Sequence, residues 1–395
     1  MKRTVSIILA LVMMLSMLAA CGDSGSSTAG GTPSDSSSAD VTLPDAATVK
    51  LGVVIWGTTD ALARNATMMM RKIVEAAGGE VVVDTSGTSP ETQIQSAENL
   101  IAGGCNAIII VNNSDEMLPR LAQLCETNEV YFGLMWRKIY SEEIKAQLDA
   151  CPYYIGNTCE DETEIAERLA TNLANAGVTQ LAMIGRPIGD TTHDARWQGV
   201  VNVCENTGLD LIAEYRGQGG AATAAETMEA VEKFISGYPD LEAIFMTGGT
   251  SSQLEGALAA LDKHNKRGVI KLAVVDFIDA DLMKEYLDDG TLFSIAGGHY
   301  VDPLFTTAML INAVEGNKLS DKPEQINLQF IDFASAEDAV DYYDYVENDA
   351  DEVYAYTSEE LGQLIKSINP DVTIDTIRQT AADYSIADVM TRHGN

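Results

Sequence analysis

The sequence predicts an α/β protein: two doubly wound, Rossmann-like parallel-sheet lobes joined by a multi-strand hinge, then a helical C-terminal extension. Three observations carry this. Short β-branched and apolar runs alternate with amphipathic helical patterns from residue 49 to about residue 333, the mark of parallel sheets covered on both faces. The alternation restarts after Tyr153-Tyr154-Ile155, which makes two consecutive units. A chain of 395 residues is long enough for two core-bearing domains and an appendage.

The first unit opens with an apolar run at 49–56, a strand that ends in Gly57-Thr58-Thr59. A helical pattern over 60–77 stops at Gly78-Gly79. A strand over 80–84 follows, then a helix opened by Ser89-Pro90 and closed by Gly103-Gly104. Proline at the first helical position and glycine past the end are the expected signals. Residues 107–111 read as a strand, 115–127 as a helix and 130–136 as a strand. In the second unit helices are expected over 161–176, 192–207, 222–236, 251–264, 280–288 and 303–315. Strands over 180–184, 209–215, 243–246, 271–275, 292–296 and 326–333 alternate with them. Residues 334–395 break the pattern. An acidic, tyrosine-rich stretch precedes short helical patterns over 358–368 and 374–382, around Asn369-Pro370. Leu361, Leu364 and Ile365 recur at helical spacing and need a surface to cover. The extension is therefore expected to dock on a lobe, with Tyr342, Tyr343 and Tyr345 packed against it.

Ahead of the lobes, Lys2 and Arg3 precede an apolar stretch that closes on Leu18-Ala19-Ala20-Cys21. This is a basic region, an apolar region too short for an ordinary spanning helix, and small residues before a cleavage point. The run resembles a bacterial lipobox. That resemblance implies a lipoprotein signal peptide over 1–20, cleavage before Cys21 and diacylglycerol on the Cys21 sulfur. The alternative is a plain secretory signal with a chance cysteine. Residues 22–48 are dominated by Gly, Ser, Thr, Ala and Asp and cannot bury a core, so a disordered tether is expected.

Charge excludes several partners. The formal net charge is -34, so the chain is not expected to bind nucleic acid by neutralising phosphates, nor anionic lipid by charge. Membrane attachment would rest on acyl chains alone. Besides Cys21 there are Cys105, Cys125, Cys151, Cys159 and Cys204, an odd number without a CxxC pair, so at least one thiol is unpaired and no zinc ribbon is indicated. There is no G-x-S-x-G elbow, no P-loop and no H-E-x-x-H, and the chain has 4 His. Gly217 to Ala222 gives a lone GxGxxA after a strand, a weak match. The acidic stretch 341–352 lacks the spacing of a calcium loop and reads as a solvated segment. No catalysis, cofactor or metal is expected.

The lipobox, the tether and the two βα lobes together are similar to a type I periplasmic binding protein, with ribose-type solute-binding lipoproteins of ABC transporters as the nearest group. The resemblance covers about residues 49–333. It lies in the first strand, in Ala107 to Ser114, and in Ile155-Gly156-Asn157 as a first crossover. It continues in Arg196-Trp197-Gln198-Gly199 at a helix start and in Val274-Val275-Asp276 at a strand end. It implies an N-terminal lobe of 49–157 plus 298–325, a C-terminal lobe of 158–297 plus 326–335, and an acidic extension over 336–395. It also carries over site residues: Asn112, Arg196 and Asp276 match positions that contact sugar hydroxyls, and Arg137 falls near an Asp-Arg pair. Trp136 stands where the acid of that pair would be. Gly248-Gly249-Thr250 replaces an Asn-Asp, and Gly297-Gly298-His299 replaces a hinge Gln. These departures weigh against a plain pentose or hexose.

Read as chemistry, Trp56 and Trp136 end strands and either offer an indole face to a ligand or pack as core. Arg137 and Arg196 either clamp an anionic group or pair with one of the many carboxylates. His193, Asp194 and Arg196 cluster near a helix start, where capping is the plainer role. His299 follows two glycines at the expected hinge. The resulting expectation is a lipid-anchored, monomeric, extracytoplasmic solute-binding protein. It would hold a small polar ligand, a sugar or sugar-like compound, and hand it to an ABC permease. A ligand sensor of the same fold feeding a membrane receptor is the alternative.

Overall fold

The alternating runs fold into two six-stranded sheets. The computed structural model describes residues 47–87, 89–217, 222–248, 251–333, 335–348 and 352–394. The expected signal, Cys21 and most of the tether lie outside the described residues, as do 218–221 of the glycine-rich turn, and Gly249 and Thr250. From residue 47 onward the chain belongs to one body.

The first sheet takes β1 (Lys50–Val54), β2 (Glu80–Asp84), β3 (Ala107–Ile110), β4 (Tyr131–Met135) and β5 (Tyr154–Glu160). The helices between them are α1 (Ala61–Ala76), α2 (Pro90–Ala102), α3 (Leu118–Thr127) and α4 (Glu142–Asp149). The second half follows with α5 (Glu162–Asn175), β6 (Gln180–Gly185), α6 (Thr191–Asn206), β7 (Asp210–Arg216) and α7 (Ala224–Gly237). It continues with β8 (Ala243–Met246), α8 (Ser251–Lys263), β9 (Lys271–Val275), α9 (Ala280–Asp288) and β10 (Leu292–Gly297). Then α10 (Asp302–Val314), β11 (Glu324–Leu328) and β12 (Ile331–Phe333) complete the two lobes.

Strand order is β11-β5-β4-β3-β1-β2 in the first sheet and β12-β10-β9-β8-β6-β7 in the second. All pairs are parallel except β12, which runs antiparallel to β10. The chain therefore crosses between sheets after β5, after β10 and after β11. This corrects one expected strand: 326–333 is two strands, one in each sheet, with Gln329 and Phe330 as the crossing. Residues 326–333 alternate apolar and polar almost throughout, so the pattern reads as one half-buried strand and hides the change of sheet. The first crossing also falls later than Ile155-Gly156-Asn157, since β5 continues to Glu160.

Central strands are buried on both faces, as in β3 and β8. Their helices start on side-chain caps: Asp60 accepts from the Ala63 amide, Ser89 forms a capping box with Thr92, and Asp190 accepts from the His193 amide. Two glycines permit close approaches. Gly156 has φ +129° and a Cβ there would lie 1.9 Å from the Glu324 carbonyl, so β11 can lie against β5 only because no side chain intervenes. A Cβ on Gly199 would meet the Thr163 carbonyl at 2.4 Å, so α6 presses directly on α5.

The extension docks. It forms α11 (Ala336–Tyr345), a hairpin of β13 (Glu347–Asn348) and β14 (Val353–Tyr354), α12 (Ser358–Gly362), α13 (Ile374–Asp383) and α14 (Ile386–His393). Leu361, Ile365, Ile377, Ala381 and Val389 are fully buried. The reason lies in α10, where every residue from Asp302 to Ala313 is buried. A helix apolar all round must be covered on its outer side as well as by the sheet. Here Tyr356 meets Phe305, and Asn312 donates to the Leu364 carbonyl at 3.0 Å. Tyr342 is fully buried, and Tyr343 and Tyr345 are partly buried against the same core. Contacts reach both lobes, since α11 packs on α9 while α12 packs on α1 and α13 on β11.

Candidate functional site

The carboxyl ends of the strands are where open parallel sheets place ligands. Trp56 follows β1, Asn112 follows β3, and Trp136 and Arg137 follow β4. Arg186 follows β6, Thr247 follows β8, Asp276 follows β9 and His299 follows β10. These ends converge: the charges of Arg137, Arg186 and Arg196 all bear on His193, and Asp60 of the first lobe bears on Asp276 of the second.

Asp276 is the most constrained of these residues. Its φ is +94°, a region that favours glycine. Burial pushes its carboxyl up to about 6, and Arg196 and Arg186 keep it from rising further. Its Oδ1 lies 3.6 Å from Nε2 of His299. Among the described non-glycine residues with positive φ, Trp136 at +55° also ends a strand, whereas Glu129 and Asn265 close α3 and α8 in the ordinary left-handed cap. Backbone strain at strand ends clusters at functional sites.

Arg196 is buried and donates from Nε to Glu162 at 2.6 Å and from NH1 to the Thr247 carbonyl at 2.7 Å. Burial works against its charge, but Glu162 and Asp276 more than offset it and hold its pKa up. Arg137 donates to the carbonyls of Asn112 and Trp136, each at 2.8 Å. Asn112 is fully buried, with its Oδ1 unpartnered. Both histidines are held well below the ordinary imidazole range, by burial first and the arginines second, and are neutral at neutral pH.

The two tryptophans pack with their rings tilted by 43° and 5.3 Å between centroids. Trp136 is buried, with its indole N–H donating to the His299 carbonyl at 2.8 Å and its amide to Asp302 at 3.0 Å. Trp56 is half-buried and donates to Asp60 at 2.9 Å, so it is the indole with a face to offer. Below them, Glu160 at the end of β5 and Asp302 at the start of α10 form a buried carboxyl pair. Both oxygens of Glu160 and Oδ2 of Asp302 lack a donor from any other group, and one proton shared between the two acids engages two of these three atoms. Burial pushes both acids up, Asp302 to about 8.

Sequence reasoning singled out Trp56, Asn112, Trp136, Arg137, Arg196, Asp276 and His299, and the structure brings all seven to these strand ends. It missed Arg186, Glu162 and Phe330. Arg186 carried a usable signal, since it stands just past an expected strand. Glu162 reads as an ordinary acid in a helix's first turn. Phe330 was hidden inside the run taken as one strand, and its ring lies 4.8 Å from that of His299. The five thiols are all free, and among the described residues no cluster of metal-ligating side chains occurs.

Two doubly wound sheets whose strand ends converge on a cluster of buried polar and charged side chains, with three chain crossings between them, define the two-lobed class of binding proteins. The chain belongs to the periplasmic binding protein domain family, whose profile matches residues 51–318, and it is of type I. No curated protein matches it. Among solved structures it is similar to an ABC transporter periplasmic solute-binding protein from Actinobacillus succinogenes with bound D-allose, at TM-score 0.64 and 14% identity, covering 74% of this chain and 100% of that one. A periplasmic ribose ABC transporter protein from Conexibacter woesei gives 0.61 and 19%, covering 76% and 97%. The binding protein of an arabinose ABC transporter from a Shewanella species, bound to L-arabinofuranose, gives 0.63 and 18%, covering 77% and 97%. At these identities the likeness is one of fold.

Proposed function

We propose that the protein is a lipid-anchored extracytoplasmic solute-binding protein. It captures a small polyhydroxylated ligand, a sugar or sugar-like compound, between its lobes and delivers it to an ABC permease. The observation that carries this reading is Asp276, a carboxylate held in a strained backbone at a strand end, between Arg196 and His299. A charged acceptor beside charged donors and an indole face suits hydroxyl groups on one side of a ring and C–H groups on the other. The solved neighbours with bound D-allose or L-arabinofuranose, and that of a ribose ABC transporter, support it. The family to which the chain belongs is one of binding proteins, which favours binding over catalysis. Trp56, Asn112, Trp136, Arg137, Arg196, Asp276 and His299 line the proposed site.

The test is a thermal-shift screen over sugars, polyols and sugar acids, followed by calorimetric titration of D276A and R196A. A ligand at 100 times its Kd should add about 2.7 kcal/mol of stability. Each truncation should cost several kcal/mol of binding, because its charged partners are left unpaired. Titrations of both variants at wild-type affinity would remove the site assignment.

A further inference from the structure

The cleft holds a guanidinium without a counter-charge. Every other buried or half-buried arginine among the described residues, Arg186 apart, has a carboxylate close by. Arg168 has Asp332 at 3.1 Å, Arg196 has Glu162 at 2.6 Å, Arg216 has Asp194 at 2.7 Å, Arg267 has Asp262 at 2.7 Å and Arg392 has Glu360 at 2.5 Å. Arg137 is 8% exposed, and its hydrogen bonds go to two main-chain carbonyls, with no carboxylate at ion-pair distance. Beside it, Oδ1 of the fully buried Asn112 has no donor. Across the cleft, Arg186 has Asp190 at 3.8 Å as its ion pair and feels the charge of Asp276 beyond it, and its Nε is buried without a partner.

In a chain with 59 acidic and 25 basic residues, carboxylates are plentiful everywhere, so the lack of an ion pair at the buried Arg137 is informative. A buried charge is retained only where something pairs it. The nearby acids act on Arg137 only beyond ion-pair distance: Glu162 is ion-paired with Arg196, and the Glu160–Asp302 pair, with one shared proton, keeps a single charge. From this geometry we infer that the ligand supplies the missing charge: it is a polyhydroxylated monoanion, a sugar acid. Its carboxylate is held by Arg137 and Arg186 from opposite lobes, and its hydroxyls lie toward Asp276 and Asn112. Arg137 is the one buried guanidinium here without an ion pair, and a single negative charge matches it. A phosphate monoester would bring nearly two. The inference rests on the cleft being the solute site, and it adds Arg186 to that site.

The test is calorimetric titration with D-glucuronate, D-galacturonate and D-gluconate, against D-glucose, D-galactose, D-glucitol and D-glucose 6-phosphate. At least one acid should bind about tenfold or more tightly than its neutral parent, with affinity that falls as salt rises. R137M and R186M should each erase that preference. R186M covers the case in which R137M fails to fold, because the Arg186 side chain is 25% exposed and bridges no strands. Neutral sugars binding as well as the acids would overturn the inference and leave the solute reading intact. Tighter binding of the phosphate would overturn the monoanion. No binding by any member would count against both readings.

Discussion

Asp276 combines two unfavourable conditions in one residue. A non-glycine residue at φ +94° carries strain on the order of 1–3 kcal/mol. Its carboxyl, pushed up to about 6 by burial, is also destabilising once ionised. An unfolded Asp titrates near 3.9, so the folded chain holds this proton more tightly between about pH 4 and 6, and stability falls as pH rises through that window. The full cost, roughly 3 kcal/mol for a two-unit rise, is present above pH 6. D276G should therefore be more stable than wild type at pH 8, and its advantage should shrink toward pH 4.5 as the wild-type carboxyl protonates. The same variant should lose ligand binding. Urea melts at the two pH values check the first statement and titration checks the second. A variant less stable than wild type at pH 8 would show that Asp276 is relaxed in its setting. Asp276 was legible in sequence because it ends an apolar run. Its strain was not, since φ depends on how β9 meets the loop before α9. Arg196 was legible by motif, but its pairing with Glu162 depends on the close approach of α5 and α6 at Gly199, which no spacing reveals.

Elements were legible where apolar periodicity was strong and caps were clear. The runs over 80–84, 243–246, 271–275 and 280–288 fold as read from end to end. Elements without a buried stripe were missed: α4 has Leu148 as its buried residue, and α14 has Val389. The extension was legible as a helical pattern in need of a surface, but not as a bridge. Glu347 accepts from Tyr342 in α11 and from Asn65 in α1 at 2.8 Å, while Tyr343 donates to the Ile278 carbonyl beside α9. So α11 and the residue pair after it tie the first lobe to the second. Removing both ties with Y343F and E347A leaves the buried Asn65 amide short of a partner, at about 1–3 kcal/mol. The double variant should melt several degrees lower. Its ligand-free form should also show a larger radius of gyration in solution scattering, with the ligand-bound form unchanged. A lower melting temperature at unchanged radius would mean that the ties hold the extension in place but do not restrain the hinge.

At the scale of the whole molecule, charge and attachment are one problem. A formal charge of -34 repels an anionic membrane surface, and it repels an anionic ligand too until the ligand is within about 8 Å of the cleft arginines at physiological salt. Three guanidiniums gather at one set of strand ends in so acidic a chain, and a ligand meets them only at close range. The membrane has no such patch to meet, and among the described residues no helix is long and apolar enough to cross it. The proposed attachment is covalent lipid on Cys21, which closes Leu18-Ala19-Ala20-Cys21. Two acyl chains anchor stably where one does not. Expressed in its bacterial setting, wild type should partition into the detergent phase, with a mass increase on its N-terminal peptide at Cys21. C21S should appear in the aqueous phase or remain as the unprocessed precursor, with an unchanged melting temperature, because the lobes begin well beyond it. Detergent partitioning of C21S equal to wild type, with the lipid mass found on another peptide, would place the anchor elsewhere.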